Sequence, residues 1–199
     1  MANVDYAFGL RPITQQGGTI KLRPYHIPST ETASVFVGDP VVKTGTSNTA
    51  AAGVGGMYQI GALQQVAVVA AGDGNETTGV VCGFVPDPST LDKTYGVGST
   101  DRVALVCDDP TQEYVMQCDS GHVPVVADFG LNANFVAGSG DVIFGRSGFE
   151  LDIDAAAATA TFQVKIQRLY DTPDNTLLEH ANVVVTLNNS TESNITAGV

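Results

Sequence analysis

Residues 161–170, TFQVKIQRLY, carry the clearest indication of the fold class. Along this stretch the apolar residues Phe162, Val164 and Ile166 alternate with polar neighbours. A period of two places successive side chains on opposite faces, as in a β-strand with one buried face. A helix would instead need apolar residues spaced three and four apart. The segment is therefore predicted to be a half-buried strand.

Other strand candidates lie on both sides of this segment. They are residues 149–154 (FELDID), which alternate in the same way, and the apolar runs 78–85, 102–107, 113–118 and 182–187. The turn Asp108-Asp109-Pro110 separates 102–107 from 113–118, so these two are predicted to be a turn-linked pair. The 22 glycines and 9 prolines break the chain at short intervals. The predicted fold is all-β, with an antiparallel β-barrel or β-sandwich body.

Three regions are expected along the chain. Residues 1–18 lack periodicity, and Pro12 and Gly17-Gly18 resist helix, so they are predicted to form an extended N-terminal arm. Residues 19–188 form the β-rich body, either as one unit or as two lobes divided near residue 110. Residues 189–199 are polar and are predicted to be a flexible tail.

The charge of the chain is unevenly distributed. The formal net charge is −12, yet three of the nine basic residues, Arg11, Lys21 and Arg23, lie within thirteen positions near the N-terminus. This pattern favours an arm that meets an oppositely charged partner. The acidic body disfavours nucleic acid as a partner, and the absence of an apolar run of about 18 residues disfavours a membrane. The first residues do not resemble a secretory signal, so synthesis in a cytoplasm is expected.

No motif in the sequence predicts catalysis. Neither a GxSxG elbow nor a phosphate-binding loop occurs, so the chain is expected not to be an enzyme and to need no cofactor. Glu150, Asp152 and Asp154 lie on one face of a predicted strand. They could hold Ca²⁺, but a solvated strand face explains them more simply. Cys118 and His122 match no zinc-binding spacing, and no metal site is predicted.

The three cysteines, Cys82, Cys107 and Cys118, have no CxxC spacing. In a reducing compartment they are expected to be free thiols. A disulfide between Cys107 and Cys118 stays open as an alternative, because sequence alone does not establish its geometry.

Several short motifs resemble a known family. In chain order they are FGLRP at 8–12, YHIP at 25–28, VFVGDPV at 35–41, FELD at 149–152, FQV at 162–164 and RLYDTPDN at 168–175. In this order they resemble the capsid decoration, or cement, proteins of tailed bacteriophages. The resemblance extends from residue 5 to about residue 188.

The resemblance implies a structural virion protein on the outer surface of an icosahedral phage head. Such a protein binds the major capsid protein and stabilises the shell by bridging its subunits, often as a homotrimer and without a cofactor. The N-terminal arm reaches across the capsid subunits. Our hypothesis is that Phe8, Leu10 and Arg11 anchor the arm to the capsid, and that Lys21 and Arg23 meet acidic shell surface.

Two other functions stay open. One is a different virion β-protein, from the tail or from head completion. The other is a host- or carbohydrate-binding module displayed on the capsid. The absence of Trp disfavours stacking on sugars, although Tyr58 and Tyr95 remain available for it.

Overall fold

The computed structural model describes residues 3–13 and 18–193, and it confirms the all-β prediction. Three short 3-10 turns are the helical elements of this part of the chain. The strands are β1 (Arg11–Pro12), β2 (Arg23–Ile27), β3 (Pro40–Ser47), β4 (Gln64–Val68), β5 (Gly79–Phe84), β6 (Arg102–Cys107), β7 (Glu113–Gln117), β8 (Asn132–Val136), β9 (Glu150–Ala157), β10 (Val164–Leu169) and β11 (Asn182–Leu187).

Five strands form a closed barrel in the order β2-β4-β3-β5-β6. The pairing of β2 with β4 is parallel, and the other pairings are antiparallel. Closure leaves no unpaired strand edge in the ring. Branched aliphatic side chains, among them Val41, Val66, Val81 and Val106, fill the centre and are almost completely buried.

The other six strands form an antiparallel sheet in the order β1-β7-β11-β10-β8-β9. The predicted strand at 161–170 is β10, whose Val164 and Ile166 are buried while Lys165 is exposed. Strand β1 comes from the N-terminal region and pairs at the sheet edge, with Arg11 opposite Val115. Residues 11–12 of the N-terminal region thus belong to this sheet.

The predicted pairing of residues 102–107 with 113–118 is wrong. Both segments are strands, but β6 pairs with β2 and β5 in the barrel, while β7 pairs with β1 and β11 in the sheet. The chain therefore crosses from barrel to sheet at residues 108–112. This crossing includes residue 110, near which a division between two lobes is predicted from the sequence.

Barrel and sheet nevertheless share one core. The largest buried cluster contains Val80 and Cys107 from the barrel, together with Tyr114, Leu151 and Ile166 from the sheet. A T-shaped pair of Phe135 and Phe149, with ring centroids 6.1 Å apart, lies in the same cluster. The two layers bury their apolar faces against each other, so neither face is left to solvent.

Gln163 links the layers with hydrogen bonds inside this core. Its side chain is fully buried, and its Oε1 accepts from the backbone N–H groups of Gly72 (3.1 Å) and Phe135 (3.0 Å). Its Nε2 donates to the carbonyl of Ala70 at 3.0 Å. The carboxamide thereby satisfies three backbone groups in two different segments. The period of two had placed Gln163 on the polar face, which is incorrect.

At both chain ends, the residues that the structure describes are hydrogen-bonded to the body. Residues 3–13 lie along the body, and the Leu10 N–H donates to the carbonyl of Gly38 at 2.9 Å. Residues 189–193 are attached as well, since the Thr77 N–H donates to the carbonyl of Asn189 at 2.9 Å and Ser190 is buried. Residues 1–2, 14–17 and 194–199 lie outside the described residues.

In the described ranges, none of the helical segments has the length and apolar character that crossing a membrane requires.

Candidate functional site

The N-terminal region is fastened to the body through side-chain amides. Gln117, at the end of β7, is buried and accepts from the Tyr6 N–H at 2.8 Å through its Oε1. Its Nε2 donates to the carbonyl of Val4 at 2.8 Å. Nearer the terminus, Asn3 Nδ2 donates to the carbonyl of Thr176 at 2.9 Å. We call residues 3–12, held in this way, the docked arm.

A groove of about 860 Å³ runs between the docked arm and the segment around residue 145. The arm side chains Tyr6, Phe8 and Arg11 line one side, and Phe144 and Arg146 line the other. This volume is within the range of cavities that hold a ligand or a partner's side chain.

Residues 141–146, which we call the apolar loop, form the outer wall of the groove. Asp141 organises this loop, because its Oδ1 accepts from the N–H groups of Ile143 (2.8 Å) and Phe144 (3.2 Å). The Asp141 N–H donates to the carbonyl of Arg146 at 2.8 Å, which closes the loop. A loop with its backbone tied in this way presents its side chains in a fixed arrangement.

The tip of the apolar loop consists of large apolar side chains that are exposed to solvent. Val142, Ile143 and Phe144 are 58%, 78% and 68% accessible to solvent. Three consecutive large apolar side chains at this exposure form a contiguous patch, and such patches mark interaction surfaces. The Arg146 guanidinium stacks on the Tyr6 ring, 3.3 Å from its centroid, and thereby links loop to arm. This surface was not predicted from the sequence, because the apolar run 142–144 has the composition of a strand.

The predicted arm residues have different environments. Phe8 is half-buried and lines the groove, and Arg11 is exposed, with its guanidinium carbon 5.3 Å from the centre of the Phe8 ring. Leu10 is only 1% exposed and belongs to the shared core. Leu10 also lines the floor of the groove, where its burial leaves little surface for direct contact, so its part in the capsid contact stays a prediction.

Lys21 and Arg23 lie away from the groove, beside the crossing between barrel and sheet. Arg23 is exposed, and its Nη1 is 3.1 Å from Oδ2 of the buried Asp108. Hydrogen bonds from Thr111 hold the pKa of Asp109 below its usual range, and the charges of Lys21 and Arg23 add to the effect. The positive charge predicted for this region is therefore partly balanced by the protein's own carboxylates.

A buried carboxyl group lies beneath the docked arm. The Oδ2 of Asp39 accepts from the Phe36 N–H at 2.8 Å, and the adjacent Gly38 carbonyl accepts from the Leu10 N–H. Burial raises the pKa of Asp39 to about 6, although hydrogen bonds from Ser147 and Phe36 oppose the shift. The turn that receives the arm thus contains a group that titrates in mildly acidic solution.

The cysteines are free thiols in the structure, and Cys107 and Cys118 do not pair. Both are buried, and burial raises the pKa of each thiol. Burial also raises the pKa of Cys82, which lines the groove, to about 12. A thiol with a raised pKa carries little thiolate at neutral pH, so none of the three is set up as a nucleophile.

The carboxylates of β9 do not form the Ca²⁺ cluster that the sequence left open. Leu151 and Ile153 point into the core, and Glu150 and Asp152 are half-buried on the other face. Within the described ranges, the group of ligand atoms that comes together joins Glu150 to Asp5 and His180 instead. Burial raises the pKa of Glu150, as does the charge of Asp5, while His180 lowers it.

Comparisons of the chain with protein-family models, with curated proteins and with solved structures find no match. The chain is an all-β protein in which a closed barrel and a sheet share a core, with an apolar loop and a docked arm around one groove.

Proposed function

We propose that this protein is a capsid decoration, or cement, protein of a tailed bacteriophage. It binds the outside of the icosahedral head and stabilises it by bridging subunits of the major capsid protein. The family resemblance of the motifs between residues 8 and 175 supports the identity of the partner. A homotrimer on the capsid surface is part of the same proposal.

The observation that carries an attachment function is the exposed apolar loop. Val142, Ile143 and Phe144 project from a loop that Asp141 holds in place, so little conformational freedom is lost when a partner covers them. Rigid aromatic and aliphatic side chains are typical of the centre of protein–protein interfaces. The groove beside the loop adds room for a partner's side chain.

Attachment through a small patch suits a protein that is present in many copies. One loop and one groove give a modest contact area for each copy. An oligomer that engages several equivalent capsid sites at once gains avidity without any new contact. Arg11, which is exposed on the docked arm, lies at the rim, where a charge affects the association rate and the orientation of the partner more than the affinity.

Variants of the apolar loop test this proposal. The purified protein is mixed with undecorated, expanded capsid shells of the same phage, and bound copies are counted after sedimentation. We expect Ile143→Asp and Phe144→Asp each to reduce binding at least about tenfold, as loss of a central apolar contact does. The matched control is Leu91→Asp, because Leu91 is 72% exposed and does not line the groove.

Equal binding by the loop variants and the control would contradict attachment through the apolar loop. If the unaltered protein does not bind shells but instead sediments with tails or binds glycans, the tail protein or the host-binding module replaces the proposal.

A further inference from the structure

Three potential metal ligands from distant parts of the chain meet beside the docked arm. The ligand atoms of Asp5, Glu150 and His180 all lie within 4.8 Å of one another. His180 Nδ1 is 3.8 Å from Asp5 Oδ1, too far for a hydrogen bond. Asp5 belongs to the docked arm, Glu150 begins β9, and His180 lies just before β11.

Two of these groups have buried atoms without a partner. Neither His180 Nδ1 nor Glu150 Oε1 is exposed to solvent, and neither makes a hydrogen bond to the described residues. Buried polar atoms in native proteins nearly always have a partner, because leaving one unpaired is costly. His180 and Glu150, which belong to the same three-residue group, therefore each have a buried polar atom available to bind a ligand.

The backbone around the cluster is held by the end of β7. The Gln117 carboxamide bonds the backbone of Val4 and Tyr6, on either side of Asp5, and its Nε2 also reaches the carbonyl of His180 at 3.2 Å. The next two residues continue this arrangement. The Cys118 N–H donates to the carbonyl of Ala181 (2.9 Å), and the Asp119 N–H donates to the carbonyl of Leu151 (3.0 Å). One rigid strand end thus places all three ligand-bearing segments.

The donor set selects the kind of cation. One imidazole nitrogen and two carboxylate oxygens suit Zn²⁺, which binds nitrogen and oxygen at about 2.0–2.2 Å, often with water as a fourth ligand. Ca²⁺ would need six to eight oxygens. Tetrahedral bonds of that length separate ligand atoms by about 3.4 Å. A closure of at most about 1.4 Å by side-chain rotation, from the 4.8 Å limit on the present separations, would bring the three groups to that distance.

We propose that Asp5, Glu150 and His180 form a binding site for a divalent cation of the Zn²⁺ type, which fastens the docked arm to the body. The two carboxylates supply negative charge that a divalent cation balances. The cation would also give His180 Nδ1 and Glu150 Oε1 the partner that they lack. The inference concerns the free protein and does not depend on the proposed capsid function.

Titration of Zn²⁺ alone into the metal-free 199-residue protein tests the site by calorimetry. We expect one ion per chain and a rise in the thermal midpoint in the presence of excess Zn²⁺. His180→Asn and Glu150→Gln should each weaken binding at least about tenfold. Asn suits position 180 because the backbone there has φ of 57°, a conformation that Asn tolerates. Circular dichroism verifies that each variant is folded. If His180→Asn does not fold, Glu150→Gln alone tests the site.

His122→Asn is the matched control. His122 also lies near a carboxylate, with its Nε2 3.5 Å from Asp128 Oδ2, but it belongs to no three-ligand group within the described ranges. Its substitution should leave Zn²⁺ binding unchanged. Failure of the unaltered protein to bind Zn²⁺ saturably would overturn the proposal, as would unchanged binding by both site variants or loss of binding in the control.

Hydrogen exchange of the Tyr6 N–H tests the fastening directly. This N–H donates to Gln117 beside the proposed site, so Zn²⁺ should slow its exchange in the unaltered protein and not in the Glu150→Gln variant. Zn²⁺ binding without any slowing at Tyr6 would overturn the fastening function of the ion.

Discussion

The side-chain carbonyl of Gln117 accepts a hydrogen bond of 2.8 Å from the backbone N–H of Tyr6, across 111 positions of sequence. Gln117 Nε2 also donates to the carbonyl of Val4. Together these two bonds fix the N-terminal segment to the end of the core strand β7. The segment that the sequence assigns to an arm is, over residues 3–12, a folded part of the protein. Any partner that uses this region meets a preformed surface.

Gln117→Ala tests how much this attachment contributes to stability. The variant leaves the Tyr6 N–H and the carbonyl of Val4 without their partner, so we expect a loss of about 1–3 kcal/mol in the free energy of unfolding. Urea denaturation measures it. Gln167→Ala is the control, because Gln167 makes one side-chain bond, to Thr186 Oγ1, and should lose less than about 1.5 kcal/mol. Equal losses would show that Gln117 contributes nothing particular to the arm.

Gly9→Ala tests the close approach of the arm to the body. Gly9 has φ of 70°, and a Cβ there would lie 2.2 Å from the carbonyl oxygen of Gly38. Since both are backbone positions, the arm would have to move, and we expect a loss of at least about 2 kcal/mol in thermal or urea unfolding.

The control for this substitution is Gly55→Ala. Gly55 has a similar φ of 62°, but a Cβ there would have no neighbour within 4 Å. Gly55→Ala should therefore lose only about 1 kcal/mol in the free energy of unfolding, because Ala is strained in this backbone conformation. If Gly55→Ala were as destabilising as Gly9→Ala, the steric argument would fail.

Asp39 makes stability depend on pH in the acid range. Because burial raises its pKa in the folded protein to about 6, above the usual 3.8, the native state binds the proton more tightly than the unfolded chain. The stability gained from protonated Asp39 is fully present below pH 3.8 and is lost as the pH rises through 6. A shift of two pKa units corresponds to about 3 kcal/mol.

Asp39→Asn removes this titration while keeping an acceptor for the Phe36 N–H. Relative to the unaltered protein, the variant should gain stability as the pH rises from 4 to 7, measured by urea unfolding at each pH. Asp109→Asn should change in the opposite direction and at lower pH, because the lowered pKa of Asp109 gives a stability that is present above pH 3.8 and is lost as the pH falls below it. A pH-independent difference for Asp39→Asn would refute the buried titration.

In this chain, the alternation of apolar and polar residues predicts where strands lie, but it does not predict whether a strand joins the barrel or the sheet. The regular spacing of Val164 and Ile166 was enough to locate β10, and the apolar runs located β6 and β7. Their assignment to barrel and sheet depends on contacts between distant segments, which a local period does not contain. For the same reason Gln163 was placed on the polar face, although its three backbone partners lie far from it in sequence.

The candidate surface was predicted only in part. Phe8, Leu10 and Arg11, which the arm motif suggests as anchors, all line the groove, and their contact with a partner stays a prediction. The apolar loop was missed because Val142-Ile143-Phe144 has the composition of a buried strand. The signal that could have revealed it is Asp141 followed by Gly145, since Asp begins tight turns and Gly145 adopts a positive φ.

The central claim is that this protein decorates a phage capsid, and saturation binding to shells tests it most directly. Increasing amounts of the unaltered protein are sedimented with undecorated, expanded shells of the same phage, and bound copies per major capsid subunit are counted. We predict saturation at a fixed ratio, which identifies the symmetry site that the oligomer occupies. Absence of binding to shells at any concentration would contradict the proposal.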